Sequence, residues 1–245
     1  MEHKDKDEYW ILPLNPLDTD SDWKCSSCSA LLNAKDVHLV TSQLGDQVDK
    51  LVQENPNVKE LEEMLTKLET MFHPHHYHCY AVKHSLIRTC GYGYSDMSTS
   101  TLERKISLCR ELIWITNKLD PSHSRLLMYL GVLNYELHTA LLESVRRLEK
   151  QETTPRKEEA NQSTNKTSAK GKQSSKDKQK INQSSDKPPS KEKQLRMVQE
   201  AKRLLETNVT ILDPEPQGST GFDMAVLTKI SLTQVENELR KYSSL

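Results

Sequence analysis

The sequence predicts a mainly α-helical protein, built as an α-solenoid-like array of antiparallel helices. Three observations carry that expectation. Apolar residues recur every three or four positions from about residue 36 onward, short turn signals separate the stripes, and one long polar stretch interrupts the series between its fifth and sixth members. No strict repeat period accompanies the pattern, so the likeness to a repeat protein is architectural.

Each stripe has its own punctuation. Val37, Val40, Leu44, Val48 and Leu51 line a first helix, which stops near Asn55-Pro56 because proline disfavours helix in the residue before it. Val58, Leu61, Leu65, Leu68 and Phe72 form the second, closed by His73-Pro74. A third runs from His75 to Cys90 and ends on Gly91, a residue suited to a left-handed C-cap. Ser100 and Glu103 have the spacing of a capping box and open the fourth, with Leu102, Ile106, Cys109 and Ile113 facing inward. Pro121 and Ser122 start the fifth, carried by Leu126, Leu130, Leu133, Leu137, Leu141, Val145 and Leu148. Leu195, Val198, Ala201, Leu205, Val209 and Leu212 describe the sixth, halted by Asp213-Pro214-Glu215-Pro216, and Phe222, Val226, Ile230, Val235, Leu239 and Tyr242 describe the seventh.

The interruption, residues 151–194, holds no aromatic residue, and its only aliphatics are Ala160, Ala169 and Ile181. Such a stretch buries too little apolar surface to offset chain entropy and is expected to be disordered. It also carries about +5 of net charge, leaving about −6 on the rest of a chain whose total is −1. Without an aromatic to stack on bases, the basic stretch reads as a solubilising insert, and a nucleic-acid partner is not expected. The chain therefore divides into a cysteine-bearing segment over 1–35, a helical domain over 36–150, the linker over 151–194, and a helical pair over 195–245 that completes the helical domain.

Met1 to Glu8 is charged, no apolar run approaches the length of a membrane span, and the five cysteines are odd in number. The expectation is an intracellular protein of the cytoplasm and/or nucleus, off the membrane, with its thiols free or on metal.

The strongest local chemical signal is Trp23-Lys24-Cys25-Ser26-Ser27-Cys28, entered through Pro13-Leu14-Asn15-Pro16-Leu17-Asp18. Two thiolates two residues apart can converge on one metal, and zinc is the expected ion, with Cys25 and Cys28 as ligands. A closed structural zinc site takes four ligands, so the pair is half a site. A redox reading requires a strand–helix–strand context that the sequence does not offer. Trp23 is expected to pack against the knuckle. The His73 to Cys79 run looks metal-rich, since His75 shares a helix face with His78 and Cys79, but histidines opening a helix also serve as polar first-turn residues. Cys79, Cys90 and Cys109 fall on apolar helix positions and read as buried small hydrophobes. His84 or His138 could pair with one of them, while Glu136 and His138 fit better as polar positions flanking a core stripe. Asn134 and Tyr135 read as polar neighbours on a half-exposed helix, or as groove-lining residues. Gly91-Tyr92-Gly93-Tyr94 follows a helix and lacks the strand and lysine of a phosphate loop, so it reads as a cap and turn.

Several stretches together resemble the SMYD (SET and MYND domain) family of protein-lysine methyltransferases, in its arthropod SmydA-like branch. They are Leu12-Pro13, Pro16-Leu17-Asp18 and Trp23-x-Cys25-x-x-Cys28; His73-Pro74-x-His76-Tyr77 with Val82 to Ile87; and Leu119-Asp120-Pro121 leading to Tyr135-Glu136-Leu137-His138. They cover residues 11–148. The resemblance implies a post-SET-like cysteine knuckle followed by a tetratricopeptide (TPR)-like helical domain, the rear part of such an enzyme. The family's SET signatures, with the Asn-His-x-Cys core, the S-adenosylmethionine segments and the catalytic Tyr, have no counterpart, and Glu2 to Tyr9 stands where a second cysteine pair is usual. No catalytic or cofactor-binding residue is therefore assigned, and S-adenosylmethionine enters only if a SET domain is supplied upstream. The expectation is a non-catalytic helical scaffold whose surface takes protein or peptide partners. Its alternatives are a fragment of an active lysine methyltransferase and an unrelated metal-binding protein using the His73 to Cys79 cluster.

Overall fold

A computed structural model describes residues 10–28, 30–90, 97–153 and 191–243. Within them a three-stranded antiparallel sheet precedes seven helices. The strands are β1 (Ile11–Pro13), β2 (Trp23–Cys25) and β3 (Leu31–Leu32), in that spatial order. The helices are α1 (Ala34–Gln53), α2 (Val58–Met71), α3 (Tyr77–Thr89), α4 (Thr99–Leu119), α5 (Leu127–Thr153), α6 (Lys191–Leu212) and α7 (Thr220–Ser243). The mainly helical class is as expected; the small sheet around the cysteines is an addition. The glycine-rich turn at 91–94 and the central part of the linker, 154–190, lie outside the described residues.

Helix boundaries follow from which side chains reach the orphan N–H groups. Asn57 and Glu60 make a reciprocal box at the start of α2. The Asn57 side chain accepts from the Glu60 N–H at 3.0 Å, and the Asn57 N–H donates to the Glu60 carboxylate at 2.9 Å. Asn55, with φ 53°, turns the chain between α1 and α2 in the left-handed region that Asn tolerates. α4 is capped two residues earlier than the sequence pattern suggested: the Ser98 hydroxyl accepts from the Thr101 N–H at 3.1 Å, which puts Ser100 inside the first turn. α5 starts at Leu127, not at Pro121-Ser122. The reason is Asp120, whose carboxylate accepts from the N–H groups of Arg125 (2.7 Å) and Leu126 (2.8 Å) and from the hydroxyls of Ser122 and Ser124, holding 121–126 as a tight loop. α5 extends to Thr153 and α6 begins at Lys191, so helix takes both ends of the stretch assigned to the linker.

From α2 to α7 each helix packs on the next, while α1 lies mainly against α3. The larger core cluster is built from α1 to α5 together with Ala201 of α6, with Leu61, Leu65, Leu68, Val82, Leu86, Leu108, Leu112, Leu133 and Leu137 among its buried members. Each such leucine contributes roughly 2 kcal/mol. A second cluster joins Val145 of α5, Val198 and Leu205 of α6 and Val235 of α7, and Leu142 and Met197 touch both. α5 and α6 are antiparallel. Asn134 meets Asn208 near one end of the pair, and Tyr242 of α7 contacts both Glu149 and Gln194 near the other.

Two lysines are sealed inside this stack. Lys83 donates to the Pro74 carbonyl at 2.9 Å and to Glu111 at 2.6 Å, and pairs in charge with Glu69 at 3.2 Å. Lys105, fully buried, donates to Glu136 at 2.6 Å. Glu136 is thus the counter-charge of an interior lysine and not a free polar flank. Removing one partner of such a pair leaves a buried charge uncompensated and costs about 3 kcal/mol or more.

Asn134 is likewise buried, not half-exposed. Its Nδ2 donates to Asn208 Oδ1 at 2.9 Å, and Asn208 Nδ2 donates to the Gly131 carbonyl at 2.8 Å. This chain of amides sits inside the α5–α6 seam and fixes its register, because a slip by one turn would leave three polar groups unpaired. Asn208→Ala is expected to lower the unfolding free energy by about 2 kcal/mol, read as a reduced urea midpoint with unchanged native helicity. An unchanged midpoint would remove the pair from that role.

Candidate functional site

The cysteine turn is built on the small sheet. β2 pairs with β1 in the register Ile11↔Cys25 and Pro13↔Trp23, and with β3 as Trp23↔Leu32. The Pro13 to Asp18 run forms the loop between β1 and β2. Asn15 Oδ1 accepts from the Leu17 N–H and Asp18 Oδ1 from the Asp20 N–H, two side-chain turns that fold the loop back. Trp10 and Ser26 exchange hydrogen bonds and the Cys25 N–H donates to the Ala30 carbonyl, clamping the turn that follows Cys25. His38 Nε2 reaches the Thr19 carbonyl at 2.8 Å, tying this unit to α1.

Within that frame the Cys25 sulfur accepts the Ser27 N–H at 3.4 Å. The Cys28 N–H and, secondarily, the Cys28 thiol also reach it; with Ser27 these hydrogen bonds draw the Cys25 thiol below its ordinary pKa. Backbone N–H groups aimed at a sulfur stabilise its thiolate, the form that binds metal. Cys25 is buried and Cys28 exposed. The donor set fits one half of a tetrahedral zinc site, with both sulfurs on one side of the turn. Among the described residues no group of three or more metal-capable side chains exists.

The histidine run divides between contacts to neighbouring helices and contacts among its own rings. His76 is the N-cap of α3 and stacks on Phe72 at 4.1 Å between centroids. His75 packs against Trp114 of α4 at 5.3 Å. His78 is buried against α1, where its Nε2 meets the Thr41 carbonyl at 3.1 Å in a space that only the missing side chain of Gly45 leaves open. Cys79 points its thiol at the His73 carbonyl. The rings also touch one another, His73 on His75 at 4.9 Å and His76 on His78 at 5.1 Å, and Phe72 meets both His76 and His78.

The helical cysteines are buried as expected, and burial pushes the thiols of Cys79 up to about 11 and Cys109 up to about 12, with Cys90 also raised. Neither candidate base meets a thiol. His138, buried and not a surface flank, donates through Nδ1 to the Tyr135 carbonyl one turn back. His84 contacts the Tyr129 hydroxyl at 3.0 Å. That contact ends a polar chain the sequence did not reveal. Thr116 donates to the Leu112 carbonyl at 2.7 Å, so Tyr80 donates to Thr116 at 2.9 Å, and the Tyr80 oxygen is left to accept from Tyr129. His84 is then the donor through Nδ1, and its Nε2 is an acceptor. The ring borders a shallow groove of about 420 Å³ between α3 and α5, floored by Ile87, Val132 and Leu133 and edged by Arg88 and Glu136.

Comparison of the chain with protein-family models, with curated proteins and with solved structures finds no match. No described helix is long and apolar enough to cross a membrane.

The polar interior makes the protein acid-sensitive in a defined order. Burial lowers His138 from 6.5 to about 4 and His76 likewise, so both are neutral in the fold while the unfolded chain takes up protons below about 6.5. Stability is therefore full above that pH and falls as pH drops toward 4. Asp120, held far below the ordinary carboxylate range mainly by the Leu126 N–H, adds a second loss below about 4, where only the unfolded carboxylate protonates. Urea midpoints are expected to decline in both windows. His138→Asn is expected to reduce the proton uptake between pH 6.5 and 4 by about one; an unaltered slope would contradict the assignment.

Proposed function

We propose that this chain is a non-catalytic helical scaffold, an α-solenoid-like and TPR-like protein-interaction region, akin to the C-terminal part of a SMYD-type protein-lysine methyltransferase. The observation that carries the reading is the uncovered apolar surface of its N-terminal unit. Trp10, Leu12, Leu14, Leu31 and Leu32 stand exposed on and beside the three short strands, and Leu17 is 95% exposed at the loop tip. Leu12 and Leu31 stand on one face of the sheet and Leu32 on the other, and so many exposed apolar side chains on one small unit favour a protein partner there. The successive packing of α2 to α7, antiparallel at α5–α6, supports the solenoid-like reading, and the N–H···S turn at Cys25 supports a zinc knuckle there. The helical thiols, held protonated by burial, support a structural role for the helical body.

The half-complete cysteine set favours one alternative, a segment that works together with a SET domain as part of a lysine methyltransferase using S-adenosylmethionine. A cytoplasmic and/or nuclear location goes with either reading. Calorimetric titration of the purified chain with S-adenosylmethionine is expected to show no saturable heat, and a radiolabelled methyl donor no transfer to a lysine peptide. Saturable binding accompanied by turnover would refute the scaffold reading.

A further inference from the structure

We infer that two copies of this chain close a single zinc site between them, each contributing Cys25 and Cys28. The inference rests on the zinc reading of the cysteine turn and adds the identity of the partner. Four thiolates at about 2.3 Å complete a structural zinc site. One turn supplies two, on adjacent corners of the tetrahedron, and nothing else among the described residues gathers into a group of three. A second, identical turn related by a two-fold axis through the metal supplies the other edge. That is the closed, self-complementary geometry homodimers favour.

The arrangement of the unit suits this partner. Cys25 is fixed on β2 with its sulfur pinned by backbone N–H groups, while Cys28, three residues along the same turn, is exposed, so the metal is approached from the solvent side. On the sheet face that carries Cys25, the exposed apolar side chains are Ile11 of β1 and Leu32 of β3. A second copy tethered through the metal brings a like surface to them, and their burial adds to the ligand bonds. The binding step is a ligand exchange without redox change. Zn²⁺ takes up four thiolates, their four protons pass to solvent, and the water on the ion is released. The helical body stands apart from this step, because its core clusters contain neither Cys25 nor Cys28.

The test uses the full chain loaded with zinc and cleared of excess ion. Zinc content by elemental analysis is expected at about half an ion per chain, with a dimeric mass by sedimentation. A chelator is expected to convert the dimer to monomer while far-UV helicity persists. Cys28→Ser, at the exposed position, is expected to lose zinc and dimer together, and Cys25→Ser to do the same. One zinc on a monomer would overturn the shared site and leave the zinc reading standing. Absence of bound zinc would overturn both, and a dimer that survives chelation would assign the contact to another surface.

Discussion

The constraint on which the structure depends is that α5 is apolar on two faces and has to be covered on both. Leu133, Leu137, Ala140 and Leu141 belong to the larger core with α1 to α4, which Ala201 of α6 also joins, while Val145 belongs to the cluster with α6 and α7. A helix of this kind is not stable at the edge of a bundle, since leaving one face in water forfeits roughly 2 kcal/mol for each large side chain. α6 and α7 are therefore structural necessities despite the 37-residue separation between Thr153 and Lys191 along the chain. Leu142 and Met197, touching both clusters, make the two cores continuous.

Polar groups inside the stack then select one packing from the many that an apolar stripe would allow. Lys83 demands Glu69, Glu111 and the Pro74 carbonyl at one point, which sets α2, α3 and α4 relative to one another. Lys105 demands Glu136 and sets α4 against α5, and the Asn134–Asn208 pair sets α5 against α6. Interior groups of this type contribute little net energy compared with well-packed hydrophobes, but a misregistered helix would strand them in low dielectric. The groove beside His84 and Glu136 is a by-product of this selection, bordered by groups whose first duty is to hold helices together.

The sequence was legible where chemistry and periodicity agreed. The stripes through Leu61, Leu65 and Leu68, or Val198, Ala201 and Leu205, led to the right helices and the right buried faces, and Cys79, Cys90 and Cys109 fell on interior positions as their spacing implied. It was misleading where a charged or polar residue occupied an interior slot. Asn134 lies four after Leu130, so spacing alone would place it inward, but its polarity argued for a half-exposed position because its partner, Asn208, comes from a helix distant in sequence. Asp120 hid the start of α5 in the same way, since a carboxylate that caps a loop cannot be told from one that faces water without the fold. At the candidate site the Cys25-x-x-Cys28 spacing was legible as a turn, but the sheet that supports it was not. Its strands are two or three residues long, too short to show an alternating pattern.

The helical body has its own core, and the cysteine unit lies outside that core. The body rests on α5 being sandwiched, and that is open to direct measurement. Residues 1–153 and 191–245, produced as two separate chains in one cell, are predicted to copurify in equal amounts and to unfold in one cooperative transition. If the second chain stays unfolded and apart, or if the first alone unfolds at the same midpoint as the pair, α5 does not need its second cover and the account fails.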